Sequence, residues 1–190
     1  MLEIERKWLL KPQSIEVLLS YLAQYNQFVC SPYVNRITQW YSPTVVGKCT
    51  MRIRNIHTTH RNVGWSDRVV ELYDKDRNYI TFKSPTKFGL TVRNEFESLL
   101  ALSNVERDEL IAELEMDHTR VQKTRHCVEY NTPEGTFVLE IDEYANGTLV
   151  LEMESASTAP LCQELTAIVN KEISGDAKFL NSNWKHMKTL

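Results

Sequence analysis

The sequence predicts a mainly β fold of the α+β class: an eight-stranded antiparallel closed β-barrel with a polar interior and a few helices packed outside. Most of the chain alternates polar and apolar residues with the period of two that is typical of β-strands. Helical periodicity is confined to three short segments. The charged residues of the strands occur as doublets of like sign. Like charges on neighbouring sites repel, so the doublets favour a shared interior that holds a ligand over a solvated surface.

The helical segments are short. Apolar residues at helical spacing predict helices over residues 12–24, 103–116 and 160–171. Pro12 and Pro160 are placed for helix starts, and Ser103 with Glu106 forms a capping box. We expect each helix to pack one apolar stripe against the outside of the sheet, and the tail from residue 176 to be partly helical.

Eight segments carry the strand pattern. They cover residues 3–7, 39–41, 51–54, 80–83, 92–97, 121–125, 138–142 and 151–154. Residues 133–135 and 146–147 contain the Pro, Asn and Gly residues of hairpin turns. The segment from Asn55 to Tyr79 is longer than a tight hairpin. We therefore predict a single domain over residues 1–190, with an inserted hairpin or flap at about 55–79.

Composition excludes several classes of protein. The net charge of −3 gives no global basic footprint for nucleic acid. No apolar run approaches the roughly 20 residues of a membrane span. The four cysteines form no Cys-x-x-Cys pair, and the N-terminus shows no signal-peptide pattern. We therefore expect a cytoplasmic protein with reduced thiols that binds neither nucleic acid nor membrane.

The charged doublets describe a particular ligand. The bases on these strand faces are Lys7, Arg52, Arg54, Lys83, Arg93, Lys123 and Arg125, and the acids are Glu3, Glu5, Glu95, Glu97, Glu140, Asp142, Glu152 and Glu154. Arginine forks suit phosphate oxygens, and carboxylate pairs suit hard divalent cations. Burying so many unpaired charges costs several kcal/mol each. The pattern therefore predicts a wet cavity that holds a metal–polyphosphate complex.

The same residues stand in motifs that follow one another along nearly the whole chain. They are Glu3-x-Glu5-x-Lys7, Gln39-x-Tyr41, Arg52-x-Arg54, Thr81-Phe82-Lys83-Ser84, Arg93-x-Glu95-x-Glu97, Lys123-Thr124-Arg125, Glu140-Ile141-Asp142, Glu152-x-Glu154 and Asp176-x-Lys178-Phe179-x-Asn181. In this order they resemble the motifs of the CYTH, or triphosphate tunnel metalloenzyme, family, and in particular its bacterial branch.

The resemblance implies an antiparallel tunnel that binds triphosphate compounds with Mg²⁺ or Mn²⁺. By position, Glu3, Glu5, Glu152 and Glu154 correspond to the main metal ligands, and Asp142, Glu95 and Glu97 to ligands of a second metal. Lys7, Arg52, Arg54, Lys83, Arg93, Lys123, Arg125 and Lys178 correspond to the phosphate clamp. For the last of these, Lys185 and Lys188 compete with Lys178.

The predicted function is metal-dependent hydrolysis of a triphosphate, with inorganic tripolyphosphate as the expected substrate. Glu3, Glu5 and Lys7 are the candidate catalytic residues, because the opening strand can orient the attacking water. A class IV-type adenylate cyclase and a thiamine triphosphatase are the enzymatic alternatives. A non-catalytic polyphosphate-binding module is the alternative from another class, although anion binding alone does not require the acidic doublets. The expected partner is a small-molecule triphosphate, and a homodimer is left open.

Overall fold

The computed structural model describes residues 2–41, 50–60, 75–84, 92–117, 119–154 and 161–179. The strands are β1 (Leu2–Leu10), β2 (Phe28–Tyr41), β3 (Thr50–His60), β4 (Lys75–Lys83), β5 (Val92–Leu100), β6 (Thr119–Thr132), β7 (Gly135–Tyr144), β8 (Leu149–Glu154) and β9 (Val169–Glu172). The helices are α1 (Ile15–Leu22), α2 (Asn104–Asp117) and α3 (Gln163–Ile168), and a 3₁₀ helix covers Ala177–Phe179. Within these ranges, no helix has both the length and the apolar character of a membrane span.

The strands form one antiparallel sheet in the order β5-β4-β3-β2-β6-β7-β8-β1-β9. Residues Glu5 to Leu9 of β1 pair with β8. A separate ladder of three residue pairs, from Leu2 opposite Asn94 to Ile4 opposite Val92, joins the start of β1 to β5. The predicted eight-stranded closed β-barrel is wrong: the sheet has nine strands, its order runs from β5 to β9, and β1 divides its length among three partners, β5, β8 and β9.

The ninth strand comes from a segment for which a helix was predicted. Helix α3 ends at Ile168, and Val169 takes extended dihedral angles of φ −78° and ψ 138°. The residues that follow pair with β1, with Lys171 opposite Leu9 and Glu172 opposite Trp8. The predicted helix over 160–171 is therefore too long, because pairing with β1 overrides the helical spacing of the apolar residues.

The other two predicted helices are confirmed with shorter or shifted bounds. Helix α1 is capped by Ser14, whose side chain accepts a hydrogen bond from the Val17 amide. The predicted capping box of α2 is also confirmed. Oε2 of Glu106 accepts a hydrogen bond from the Ser103 amide at 2.9 Å, and Oγ of Ser103 accepts one from the Glu106 amide at 3.3 Å. Both predicted hairpin turns join consecutive strands, β6 to β7 and β7 to β8.

The helices pack on one face of the sheet. The largest core cluster joins Leu18 and Leu22 of α1 and Leu165 of α3 to strand residues such as Leu139 and Leu151. A smaller cluster brings Leu110 and Ile111 of α2 against Trp40 and Ile53. This outcome confirms the expected place of the helices, which leaves the alternate residues of each strand to the opposite face.

The ends of the segment predicted as an insertion are strand residues. Asn55 lies opposite Asn78, and Thr58 lies opposite Lys75, so that β3 and β4 run together along this length. Residues 61–74, the centre of the segment, lie outside the described residues.

Candidate functional site

The register places the charged residues on the sheet face opposite the helices. The cross-strand partners on this face include Glu5 with Glu154, Lys7 with Glu152, Glu140 with Glu152, Arg125 with Asp142, Tyr41 with Arg52, Gln39 with Arg54, Arg52 with Thr81, and Lys83 with Glu95. Because directly opposed residues share a face, side chains from β1 to β8 meet on one surface. We call this surface the charged face.

One part of the charged face is rich in acids. This acid-rich cluster consists of Glu5, Lys7, Lys123, Arg125, Glu140, Asp142 and Glu152. Nζ of Lys7 lies 2.7 Å from Oε1 of Glu5 and 2.5 Å from Oε1 of Glu152. Burial disfavours the charged form of Lys7, but Glu152 and Glu5 outweigh that effect and raise its pKa. Lys7 is therefore a protonated cation held between two carboxylates.

Arg125 ties three strands of this cluster together. Its Nε donates to Oδ1 of Asp142 at 2.6 Å, and its Nη2 donates to Oε2 of Glu152 at 2.7 Å. Its Nη1 also donates to Oε2 of Glu140. Burial alone would lower the pKa of Arg125, because it disfavours the charged form. The carboxylates of Asp142, Glu140 and Glu152 outweigh this effect and raise the pKa well above its usual value. This guanidinium fixes carboxylates of β7 and β8 in one geometry.

In the remaining residues of the acid-rich cluster, burial and neighbouring charges shift the pKa in different directions. Burial raises the pKa of Glu140, because the lowering effect of Arg125 compensates only in part. Burial would also raise the pKa of Glu152, but the nearby charges outweigh burial. Lys123, Lys7 and Arg125 together hold this pKa well below its usual value. Burial and the nearby Arg125 lower the pKa of Lys123, which contacts Oδ2 of Asp142. Glu152 is therefore a firmly ionised carboxylate at neutral pH.

The second part of the charged face is rich in bases. This base-rich cluster consists of Arg52, Arg54, Lys83, Glu95 and Glu97 on β3, β4 and β5. Oε2 of Glu97 lies 2.6 Å from Nη2 of Arg54 and 3.4 Å from Nη2 of Arg52, and it accepts a hydrogen bond from Thr81 at 2.7 Å. Nζ of Lys83 lies 2.5 Å from Oε2 of Glu95. In the base-rich cluster, three cationic side chains thus share two carboxylates as their ion-pair partners.

The two clusters differ in charge and in unused hydrogen-bonding capacity. Among the described side chains, the acid-rich cluster has four carboxylates for three bases, and the base-rich cluster has the opposite excess. Nε of Arg52 and Nε of Arg54 are shielded from solvent and have no hydrogen-bond partner within the described ranges. Burial, followed by the nearby charge of Arg52, lowers the pKa of Arg54. The base-rich cluster is therefore the part of the face that lacks negative charge.

Several predicted site residues are not among the buried or half-buried members of these clusters. Glu154 is exposed, although it is directly opposite Glu5. Lys178 is exposed in the 3₁₀ helix, and its amide donates to Asp176. The backbones of Glu3 and Arg93 are opposite each other, but their side chains lie outside the described part of the structure. Of the seven predicted metal ligands, Glu5, Glu152 and Asp142 share the acid-rich cluster, whereas Glu95 and Glu97 belong to the base-rich cluster.

The sequence motifs contained site residues to which no role was given. Gln39, Tyr41 and Thr81 lie on the charged face and are buried. Tyr144 is buried beside Lys123, whose Nζ lies 6.0 Å from the centre of the tyrosine ring, and burial raises the pKa of Tyr144 well above its usual value. The period of two would have identified Thr81 and Tyr144, because each is two residues from a predicted site residue, Lys83 or Asp142, on its own strand. Strand β2 contains no predicted site residue from which Gln39 and Tyr41 could have been identified in this way.

The oxygen donors of the acid-rich cluster suit a hard divalent cation in their chemistry. A cation, the ammonium of Lys7, already lies between Glu5 and Glu152. In the part of the chain that the structure describes, no three acidic, His or Cys side chains are grouped as a metal site. Glu5 and Glu152 therefore provide two oxygen donors around one cation position, and the ammonium of Lys7 takes that position.

A groove of about 460 Å³ lies elsewhere on the sheet. Its lining includes Arg36, Thr38, Gln122, Thr124 and Glu143. These residues alternate with those of the charged face along β2, β6 and β7, so their side chains belong to the helix-bearing face. Most of this groove therefore lies on the helix-bearing face, although its lining also includes Ile37, Lys123 and Tyr144 of the charged face.

Comparison with known proteins shows what this fold resembles. The PH1819 protein from Pyrococcus horikoshii is 16% identical, with 83% of this chain and 79% of that chain covered and a TM-score of 0.53. The PH1012 protein from the same organism is 16% identical, with 83% and 80% covered and a TM-score of 0.50. The chain shares their fold. At this level of identity the likeness shows the fold alone.

A further solved structure is less similar to this chain in its fold. HpAC1 from Hippeastrum, named as an adenylyl cyclase with a dominant triphosphatase activity, is 15% identical over 82% of this chain and 80% of that one. Its TM-score of 0.44 is too low for inference. No family model and no curated protein matches the chain. Membership of the bacterial branch of the CYTH family remains a prediction from the motifs.

Proposed function

We propose that this protein is a metal-dependent triphosphatase that acts on inorganic tripolyphosphate. The observation that carries the proposal is the charged face itself, on which a largely buried acid-rich cluster adjoins a mostly half-buried base-rich cluster of opposite excess charge. Burying charge costs several kcal/mol per ion, so a sheet that needed only stability would place apolar residues there. The free-energy cost of burying these charged side chains is explained if the face binds a ligand that is anionic and carries a metal ion.

The base-rich cluster supports the choice of a phosphate chain as the anion. Arg52 and Arg54 each have an Nε without a hydrogen-bond partner among the described side chains, beside a guanidinium end that already contacts Glu97. Guanidinium groups bind phosphate oxygens through two parallel N–H groups, and lysine adds a point charge. The described side chains of both clusters are cations and carboxylates, which recognise phosphate and metal rather than a base or a sugar. This chemistry favours tripolyphosphate over ATP.

The reaction that we propose is an attack of water on a terminal phosphorus atom. The new bond joins the water oxygen to phosphorus, the bond from phosphorus to the bridging oxygen breaks, and pyrophosphate leaves with that electron pair. Lys7 has a raised pKa and therefore serves as a cation rather than as a base. Glu5, which contacts Lys7, is the carboxylate of the opening strand that would accept the proton of the attacking water.

The arginines would stabilise the transition state, in which negative charge spreads over the phosphoryl oxygens. A Mg²⁺ or Mn²⁺ ion held by Glu5 and Glu152 would neutralise charge on the phosphate chain. Glu3, Glu154, Asp142 and Glu95 remain the further ligands that the motifs predict.

Metal and phosphate should bind cooperatively. Without ligand, the lysines and arginines of both clusters contact carboxylates, as in the pairs Lys7–Glu152, Arg54–Glu97 and Lys83–Glu95. A cation that engages carboxylates frees bases for the anion, and an anion that engages bases frees carboxylates for the cation. Each ligand therefore lowers the cost of binding the other, by the same factor in both directions.

A substrate panel tests the proposal. Phosphate release should be measured with tripolyphosphate, thiamine triphosphate, ATP and GTP, each with Mg²⁺ or Mn²⁺, and cyclic AMP should be assayed in parallel. We expect tripolyphosphate to be hydrolysed fastest. Cyclic AMP as the main product from ATP would indicate a cyclase instead. Tight binding of tripolyphosphate without turnover under any of these conditions would indicate a binding module.

A further inference from the structure

Gln39 is a polar residue of the charged face whose hydrogen-bonding groups are unused. Its side chain is fully buried, with 0% of its surface exposed. Neither Nε2 nor Oε1 has a hydrogen-bond partner among the described residues. Buried amides are nearly always hydrogen-bonded, because an unsatisfied donor or acceptor forfeits its interaction with water. The buried amide of Gln39 therefore destabilises the ligand-free protein. A bound ligand would remove this cost if it supplied the missing hydrogen bonds.

The neighbours of Gln39 indicate what that partner is. Gln39 lies directly opposite Arg54 on β3 and directly opposite Val121 on β6. Arg54 Nε and Arg52 Nε are likewise shielded from solvent and unpartnered. Three donor nitrogens, from one amide and two guanidinium groups, thus have no partner among the described residues and lie on two adjacent strands. A group that accepts several hydrogen bonds at once and carries negative charge would satisfy them, and a phosphoryl group has these properties.

We propose that Gln39 is a substrate-contacting residue whose Nε2 donates a hydrogen bond to a phosphoryl oxygen bound at Arg52 and Arg54. This inference rests on the proposed function, and it adds a neutral donor to a clamp otherwise made of cations. Gln39 lies on β2, between the base-rich cluster and β6. Its amide would hold a phosphate oxygen in place without adding charge. It also explains why an apolar residue does not occupy a fully buried position beside Val121.

The proposal predicts opposite effects of one substitution on stability and on binding. Gln39→Met keeps the length of the side chain and removes both polar atoms. The free protein should melt about 2–4 °C higher, because a buried unsatisfied amide has been removed. The dissociation constant for tripolyphosphate, measured by calorimetry with Mn²⁺ present, should rise about tenfold. Gln39→Glu should weaken binding further, because its carboxylate would face Arg54 and repel the anion.

Asn78→Leu is the matched control. Asn78 is a buried amide on the helix-bearing face, where its Oδ1 accepts a hydrogen bond from Nδ2 of Asn55 at 2.9 Å. Its replacement should lower the melting temperature and change the tripolyphosphate dissociation constant by less than about twofold, because the site is on the other face.

The outcomes separate this inference from the proposed function. If wild type binds tripolyphosphate and Gln39→Met binds it equally well, Gln39 does not touch the substrate and only this inference fails. If Gln39→Met melts at a lower temperature than wild type, the amide has a structural partner in the free protein and the inference fails as well. If wild type does not bind tripolyphosphate with Mn²⁺ or Mg²⁺, the proposed function fails and takes this inference with it.

Discussion

Nζ of Lys7 lies 2.5 Å from Oε1 of Glu152, its direct partner across the pair formed by β1 and β8. The same ammonium lies 2.7 Å from Oε1 of Glu5, two residues earlier on its own strand. The alternation of acids in the opening strand predicted that metal ions relieve the repulsion between their carboxylates. In the structure a lysine of the same strand relieves it for Glu5.

Removing that lysine should expose the repulsion. Lys7→Met leaves Glu5 and Glu152 buried without their shared cation, and the free energy of unfolding of the metal-free protein should fall by about 3–5 kcal/mol. Urea denaturation measures the change. Lys11→Met is the control, because Lys11 is exposed and its Nζ donates to the Ala167 carbonyl, and its effect should be below about 1 kcal/mol. Equal stability of Lys7→Met and wild type would show that Lys7 is not the counter-ion of this pair.

The pH dependence of stability should depend on Glu152. Its folded pKa is held well below the usual value of 4.5, so its ionised form stabilises the fold at higher pH, and that contribution is lost as the pH falls through the folded value. Wild type should therefore lose stability as the pH falls below 4.5. Glu152→Gln should be less stable at neutral pH and should show a shallower decline in acid.

Denaturation curves recorded from neutral to acidic pH would measure both effects. Glu129→Gln is the matched control, because Glu129 is an exposed carboxylate on β6, and its curve should follow that of wild type. A decline in acid that is equally steep in Glu152→Gln and wild type would mean that other carboxylates control acid unfolding.

Anion binding should depend on the face that an arginine occupies as well as on its charge. Arg54 lies on the charged face, and Arg36 is an exposed residue on the other face of β2. Arg54→Met should weaken tripolyphosphate binding about a hundredfold, the upper range for a lost charged hydrogen bond, and Arg36→Met should leave it nearly unchanged. Calorimetry with Mn²⁺ provides the comparison. Similar losses in both variants would indicate that binding follows net charge alone.

The centre of the segment between β3 and β4 should affect access rather than chemistry. The strand pairs from Asn55–Asn78 to Thr58–Lys75 are part of the sheet, so only residues 61–74 should be replaced, by a short Asn-Gly turn. Turnover on tripolyphosphate should remain within about a hundredfold of wild type, the scale of a misplaced catalytic group. A larger loss, in a protein with an unchanged melting temperature, would show that the segment supplies a chemical residue.

The period of two was sufficient to place the charged residues of the site. Lys7, Arg54, Arg125 and Glu152 meet on one face because alternate residues of a strand share a face whatever the strand order. The helix-bearing face followed from the same pattern. Local patterns could therefore predict which side chains share a surface.

Partners that are distant in sequence could not be predicted in this way. The assignment of Val169–Glu172 to a strand depends on pairing with β1, at the other end of the chain. Strand number and the division of β1 between β5 and β8 likewise depend on non-local pairing, which explains why the predicted eight-stranded closed sheet was wrong. The division of the site into two clusters also required the strand order, because it separates Glu95 from Glu152.

Phosphate release from tripolyphosphate is the most direct test of the central claim, that the charged face binds and hydrolyses a metal-bound triphosphate. Wild type should produce phosphate and pyrophosphate in equal amounts with Mn²⁺ or Mg²⁺ and almost none with a chelator. Arg54→Met should reduce that rate strongly, and Arg36→Met should not. No release by wild type with either metal, or release that is equal in the two arginine variants, would contradict the account.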